Sequence, residues 1–189
     1  MRLRGVKLSG LYGRTARLGG VEIQAVDALC LGAVVLYDLL ILVFNARIPK
    51  AGALLLKATL SGAAFFAATA GYRLVKLVPV RWLIRTASVQ LLLAQIFLIS
   101  GPMQLILVRN WQDRGLLDFE QALLGVQPTL WLERFVTPPL TEWMMFAYVF
   151  YVVLYPGLSA LIFAKHGEKA MEDYLFNLAL VNLSCFLFF

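Results

Sequence analysis

Histidine is almost missing from this chain: His166 is the only one in 189 residues. A chemistry that needs two imidazoles, as acid and base or as metal ligands, has no place within this sequence. No serine lies near His166, so a Ser/His pair has no local support, and the residue reads as an exposed loop histidine. Cysteine is nearly as scarce. Cys30 and Cys185 both fall in apolar segments and read as small buried hydrophobes rather than a disulfide pair. Carboxylates are few and scattered, without metal-ligand spacing. There is no phosphate-cradling glycine loop, dinucleotide fingerprint, internal repeat or low-complexity segment. No metal and no cofactor is expected. Charge is thin as well: 15% of residues, against about 25% in ordinary soluble domains.

Apolar residues fill the space these absences leave, at 61%. A soluble domain of this length would expose large apolar patches to water, so the membrane class is indicated. A bilayer core about 30 Å thick needs about 20 mostly apolar helical residues. Five segments meet or approach this: 26–44, 51–72, 86–108, 143–164 and 174–189. None alternates apolar and polar residues as a half-buried strand would. The expected fold is all-α, a polytopic membrane helix bundle of about five spans. A basic arm, 1–25, precedes the bundle at 26–189. The fifth segment has only 16 residues and ends on Phe186, Leu187, Phe188 and Phe189 without a polar flank. A short last helix with local bilayer thinning would explain this. A truncated N-terminal half of a larger domain is the favoured expectation.

Lysine and arginine set the orientation. The arm (Arg2, Arg4, Lys7, Arg14, Arg17), the connection 73–85 and the connection 165–173 hold eleven of the seventeen. Six fall on the other side. The N-terminus is therefore expected in the cytoplasm, and the chain in a bacterial inner (plasma) membrane. The first span could instead be a signal peptide cleaved near Ala51-Gly52-Ala53, but arm and apolar run are both too long. The positive charge reads as topology and contact with anionic headgroups, with membrane lipids as partners and no nucleic acid. The connection 73–85 mixes four cations with Leu74, Leu77, Val78, Val80, Trp82 and Leu83, as an interfacial turn requires. Glycines at 5, 10, 13, 19 and 20 suggest a flexible arm. The sequon Asn182-Leu183-Ser184 lies inside a span, where glycosylation is implausible.

Intramembrane carboxylates are functional candidates. Asp38 lies within the first span. It either bonds another helix, through Gln90 or Gln95, or belongs to an ion pathway. Asp27, at the start of that span, reads as a helix-end carboxylate. Lys57 can snorkel to the outer interface. Tyr148, Tyr151 and Tyr155 share one face of the fourth span. They could line a cleft that meets a lipid headgroup, or simply pack with satisfied hydroxyls.

The connection 109–142 is the richest in pattern. Leu116, Phe119 and Leu123 make an apolar helical face. After Pro128, Trp131 pairs with Phe135 and Leu132 with Val136 at i, i+4, with Glu133 and Arg134 turned away. Two short helices lying in the outer interface are expected between the third and fourth spans. Thr137 can cap the next helix, Pro138 and Pro139 suit its first turn, and Glu142 and Trp143 suit its interfacial end. All of this could be anchoring. Alternatively it roofs a lipid site, with Arg134 and Glu142 beside the tyrosines.

These residues also carry a resemblance. Asp118, the run Leu124-Gly125-Val126-Gln127-Pro128, Trp131-Leu132-Glu133-Arg134, Pro139-Leu140-Thr141-Glu142, and Tyr148 with Tyr151 resemble the N-terminal half of the membrane-bound type 2 phosphatidic acid phosphatase superfamily. Within it they are most similar to the inositolphosphotransferase branch, which includes inositol phosphorylceramide synthase. The resemblance covers 118–155, about one-fifth of the chain. It marks architecture rather than chemistry. It implies a six-helix core and a site on the outer or lumenal face. There, a histidine nucleophile takes a phosphoryl group from a lipid phosphate. A second histidine, oriented by an aspartate, is acid and base, and basic residues hold the phosphate oxygens. In the family those motifs follow the equivalent of Phe189. No position of this sequence matches them, so no catalytic residue is carried over. The expectation is a membrane protein of that superfamily, inactive alone and completed by a C-terminal half or an oligomeric partner. A non-enzymatic membrane scaffold or subunit is the alternative, and a transporter using Asp38 is a third reading.

Overall fold

The computed structural model describes residues 16–18, 21–103, 106 and 113–188. The fold is helical. α1 (Ala25–Val43), α2 (Ala51–Gly71) and α3 (Val78–Met103) are followed by two short helices, α4 (Asp113–Leu124) and α5 (Pro128–Glu133). α6 (Pro138–Phe188) closes the chain. The expected pair of short helices on either side of Pro128 is present. A feature not anticipated is a small antiparallel hairpin, β1 (Ala16–Leu18) with β2 (Val21–Ile23), paired Ala16↔Ile23, Arg17↔Glu22 and Leu18↔Val21. It occupies part of the segment read as a flexible arm. Residues 1–15 of that arm lie outside the described residues.

Four of these helices are long and apolar enough to cross a membrane. The last is one helix only nominally. Gly167 interrupts α6 at φ 83°, ψ −176°, and the chain reverses there. The reversal follows from its contacts: the Tyr174 hydroxyl donates to the Tyr155 carbonyl at 3.2 Å, across nineteen residues. α6 is therefore two antiparallel legs, 138–166 and 168–188. The expected loop at 165–173 does not exist. Its residues after Gly167 already belong to the second leg, which at 21 residues runs about 31 Å, a full spanning length. The sixteen-residue estimate for that segment was short because Glu168, Lys169, Glu172 and Asp173 looked like loop.

α1, α2, α3 and the second leg form the bundle, and the sequence shows why. α1 buries Val26, Cys30, Val34, Tyr37 and Ile41, spaced 4, 4, 3, 4. α2 buries Leu54, Ala58, Gly62, Phe65 and Thr69 with the same spacing. Each is a single stripe facing its neighbours, as the 3.6-residue period requires. Gly62 allows the closest approach. A Cβ there would stand 2.7 Å from Val34 Cγ1, and a β-branched valine in a helix has little room to turn away. From α3 come Val89, Leu92, Leu93, Ile96, Ile99 and Met103; from the second leg, Met171, Leu175, Ala179 and Leu183. The first leg lies outside this bundle. It touches the core near its tip, where Ser159 is buried, while each residue of 138–154 is exposed.

Candidate functional site

Two assemblies stand out, one at an end of the bundle and one along the second leg, starting beside the first. The first brings together the N-terminal ends of α1 and α3, the C-terminal end of α2 and the start of the second leg. Arg85 is its centre, buried to 1% exposure. Its Nε and Nη2 donate to Glu172 Oε1 and Oε2 at 2.8 and 2.9 Å. Nη1 donates to Asp27 Oδ1 at 2.5 Å and lies 3.4 Å from the Thr69 hydroxyl. The guanidinium also sits over the Tyr72 ring, 5.2 Å from its centroid. Asp27 uses its other oxygen to accept from the Gln24 backbone N–H at 2.9 Å, which caps α1. Oriented to suit its neighbours, the Gln24 amide donates to Glu172 Oε2 at 2.7 Å and accepts from Arg73 at 3.2 Å. One planar cation thus joins four helices through a fork that only arginine offers.

Two readings are corrected here. Arg85 is not an interfacial cation of the 73–85 turn. It lies two turns inside α3, which begins at Val78, and faces the core. Asp27 does cap its helix, as expected of a helix-end carboxylate, but it is also wholly buried and ion-paired. The residue missed outright is Glu172. A signal was available: Asp27, Arg85 and Glu172 each stand at the same-side end of an apolar segment, so opposite charges share one membrane depth. Beside the clasp, Trp82 Nε1 donates to Ser159 Oγ at 3.3 Å, and the Thr86 and Ser159 hydroxyls lie 2.8 Å apart. These bonds fasten the first leg to α3. Arg81 pairs with Glu168 at 2.6 Å on the partly exposed rim.

The second assembly is a cleft of about 520 Å³ between the two legs and the far end of α3. Tyr151 and Tyr155 line it, hydroxyl bonded to hydroxyl. The second leg contributes Tyr174, Asn177, Asn182 and Cys185, and Phe97 and Phe186 close it with a tilted ring contact at 5.5 Å. Pro156, directly after Tyr155, removes one rung of the first leg's ladder. The cleft offers phenol and carboxamide groups but no charged side chain among its lining residues. The Asn177 and Asn182 amides already donate to the Asp173 and Leu178 carbonyls of their own helix, at 2.7 and 2.8 Å, and the Tyr174 hydroxyl to Tyr155. The cleft therefore turns mainly acceptor oxygens to an occupant, which suit the hydroxyl or glycerol part of a lipid rather than a bare phosphate.

The tyrosine face expected on the fourth span is therefore split. Tyr151 and Tyr155 enter the cleft; Tyr148, 72% exposed, does not line it. Arg134 and Glu142 stand apart from the cleft as well. Arg134 is not turned away from its aromatic neighbours: its guanidinium covers Trp131 at 4.0 Å and Phe135 at 4.9 Å. Those rings meet edge to face at 5.2 Å, a compact amphipathic knob for an interface. Glu142 is exposed in the first turns of α6. Cys185 is exposed in the cleft, not buried like Cys30. Asp38 accepts from Thr59 of α2 at 3.3 Å, not from Gln90 or Gln95 of α3. The stripe that turns Tyr37 and Ile41 to the core leaves Asp38 at the edge of the α1–α2 contact. His166 is exposed at the hairpin tip. Among the described residues no group of three or more His, Cys, Asp or Glu could hold a metal ion.

Helix lengths, apolar surface and buried polar clasp define an integral membrane protein, a polytopic helix bundle. Comparison with protein-family models, with curated proteins and with solved structures finds no match.

Proposed function

We propose that this bundle seats a membrane lipid in the cleft between the two legs of α6, and that it is a lipid-phosphate phosphatase or inositolphosphotransferase relative without phosphoryl-transfer chemistry of its own. The cleft of Tyr151, Tyr155, Tyr174, Asn177 and Asn182 is the observation that carries this reading. It sets a few hydroxyl and carboxamide groups in a largely apolar lining, includes side chains of the lipid-exposed first leg, and lies beside the residues on which the resemblance rests. Catalysis of the family type needs a nucleophilic histidine and a second histidine for the leaving group. The chain has His166 alone. His166 sits eleven residues, about 16 Å of helix, from Tyr155, at the hairpin tip rather than beside the cleft. The Lys/Arg asymmetry supports an orientation with the Arg85 end in the cytoplasm and α4 and α5 outside.

The test uses the purified chain in liposomes. Phosphate release from phosphatidic acid and headgroup exchange with inositol phospholipid are expected at background, for wild type and for His166→Ala alike. Turnover lost on His166→Ala would overturn the assignment of an inactive chain. A photoactivatable phosphatidic acid is expected to label peptides within 174–186. The pair Tyr155→Phe and Asn182→Leu is expected to cut that labelling about fivefold, the effect of roughly one hydrogen bond. Labelling that ignores both substitutions removes the cleft from the proposal. A cysteine at position 115 is expected to react from outside; reaction only from the cytoplasm reverses the orientation. One observation favours the alternative of a scaffold or subunit, namely that each residue of 138–154 is exposed. Unchanged labelling in the cleft variants would favour it.

A further inference from the structure

A second groove, about 690 Å³, runs between α2 and α3 on the opposite flank from the cleft. It exists because α2 turns Ser61, Ala64 and Ala68 toward α3, where larger side chains would close the gap. From Lys57 to Ala68 it follows α2 for eleven residues, about 16 Å. Its polarity is graded. The hydroxyls of Ser61 and Ser88 donate to carbonyls of their own helices, Lys57 at 2.7 Å and Arg85 at 2.9 Å. The walls they belong to are therefore apolar toward an occupant. Lys57 and Gln95 keep their polar groups for it, and because α2 and α3 are antiparallel both sit in the same half of the groove. Lys57 lies six residues, about 9 Å, inside the N-terminus of α2. Helical side chains lean toward the N-terminus, which here is the direction of the membrane face. The ammonium thereby rises to headgroup level. Among the described residues Lys57 has no ion-pair partner.

We infer that this groove is a binding site for one anionic phospholipid, with an acyl chain along the α2–α3 slot and the phosphate on Lys57. A cation over one end of an apolar groove about 16 Å long matches an amphiphile of opposite charge, whose phosphate pairs with Lys57 while its chain follows the apolar walls. The site is separate from the leg cleft and does not depend on it.

Native mass spectrometry of the purified chain, loaded with phosphatidylglycerol and phosphatidylcholine in equal amounts, reads this directly. Wild type is expected to retain one phosphatidylglycerol in about fivefold preference over phosphatidylcholine, the worth of one lysine at a membrane surface. Lys57→Gln is expected to abolish the preference and Lys57→Arg to keep it. Ala64→Phe, which fills the slot, is expected to remove the retained lipid of either kind. Lys50→Gln, in the neighbouring turn, serves as the charge control and is expected to behave as wild type. Circular dichroism of each variant establishes folding, with Ala64→Leu replacing Ala64→Phe if the larger ring unfolds the chain. The inference is overturned by equal retention of both lipids in wild type. It is also overturned by a preference that survives Lys57→Gln, by one that Lys50→Gln removes equally, or by retention unaffected when the slot is filled.

Discussion

Arg85→Met is expected to destabilise the bundle by about 3–5 kcal/mol, the usual cost of removing one partner from a buried ion pair. The substituted side chain is similar in length, so the loss is not one of volume. It comes from Asp27 and Glu172, which are 0% and 8% exposed and, without the guanidinium, must either stay charged with no partner or take up protons at a cost. In a membrane that penalty has no water to relieve it except at the end of the bundle. Arg85→Lys is expected to recover little. An ammonium cannot make the bidentate contact to Glu172, reach Asp27 and cover Tyr72 at once. The triple replacement Asp27→Leu, Arg85→Met and Glu172→Leu is expected to regain most of the loss, since all three charges leave together. Unfolding in mixed detergent and SDS, followed by helix content, gives the free energies. A single Arg85→Met variant within about 1 kcal/mol of wild type would show that the clasp contributes little.

Gly167→Ala is expected to cost about 1–3 kcal/mol through the backbone alone. A Cβ at Gly167 would meet nothing within 4 Å, so packing is not at issue. The cost lies in φ 83° combined with ψ −176°, a region closed to residues with a side chain. Asparagine separates this from an ordinary helix cap. It tolerates the left-handed helical region but not this ψ, so Gly167→Asn is expected to be no better than alanine. Loss of the reversal also moves the second leg, and with it Glu172 from Arg85 and Tyr174 from Tyr155. Gly167→Ala should therefore both lower stability and weaken labelling of the cleft. A variant as stable as wild type would mean that the legs are held by their contacts and not by the turn.

The Arg85 clasp and the Gly167 reversal share a property: each sits where the sequence suggested a loop. Charge density at 73–85 and 165–173 is what made those connections look like turns. Counting lysine and arginine assumes that such charges face water or headgroups, and most here do. Arg85 and Glu172 do not, because each carries the other into the core. The pairing spans 87 residues, so its only sequence signal is the shared membrane depth of opposite charges on different segments. The Asp38 partner was misplaced for a related reason. Which neighbour a helix offers at a given depth depends on the order of helices around the bundle, and Thr59 of α2 stands nearer than the glutamines of α3.

What the sequence determined by itself is what rests on local period and on composition. The membrane class follows from apolar content and run length. The helices of α1, α2 and α3 follow from apolar runs, and α4 and α5 from amphipathic spacing on either side of Pro128. That the given sequence holds a single histidine follows from counting. The tyrosine face was legible too, since residues three, four and seven apart share a side of any helix. What only the tertiary structure decided is which of those faces meet. Tyr151 and Tyr155 line a cleft, while Tyr148 stays outside it. Glu172 leaves an apparent loop to bind a buried arginine, and Ser61, Ala64 and Ala68 open a groove instead of closing a contact. Periodicity fixes the direction of a side chain about its own axis. The partner it finds there depends on helix order and reversal, which long-range packing sets.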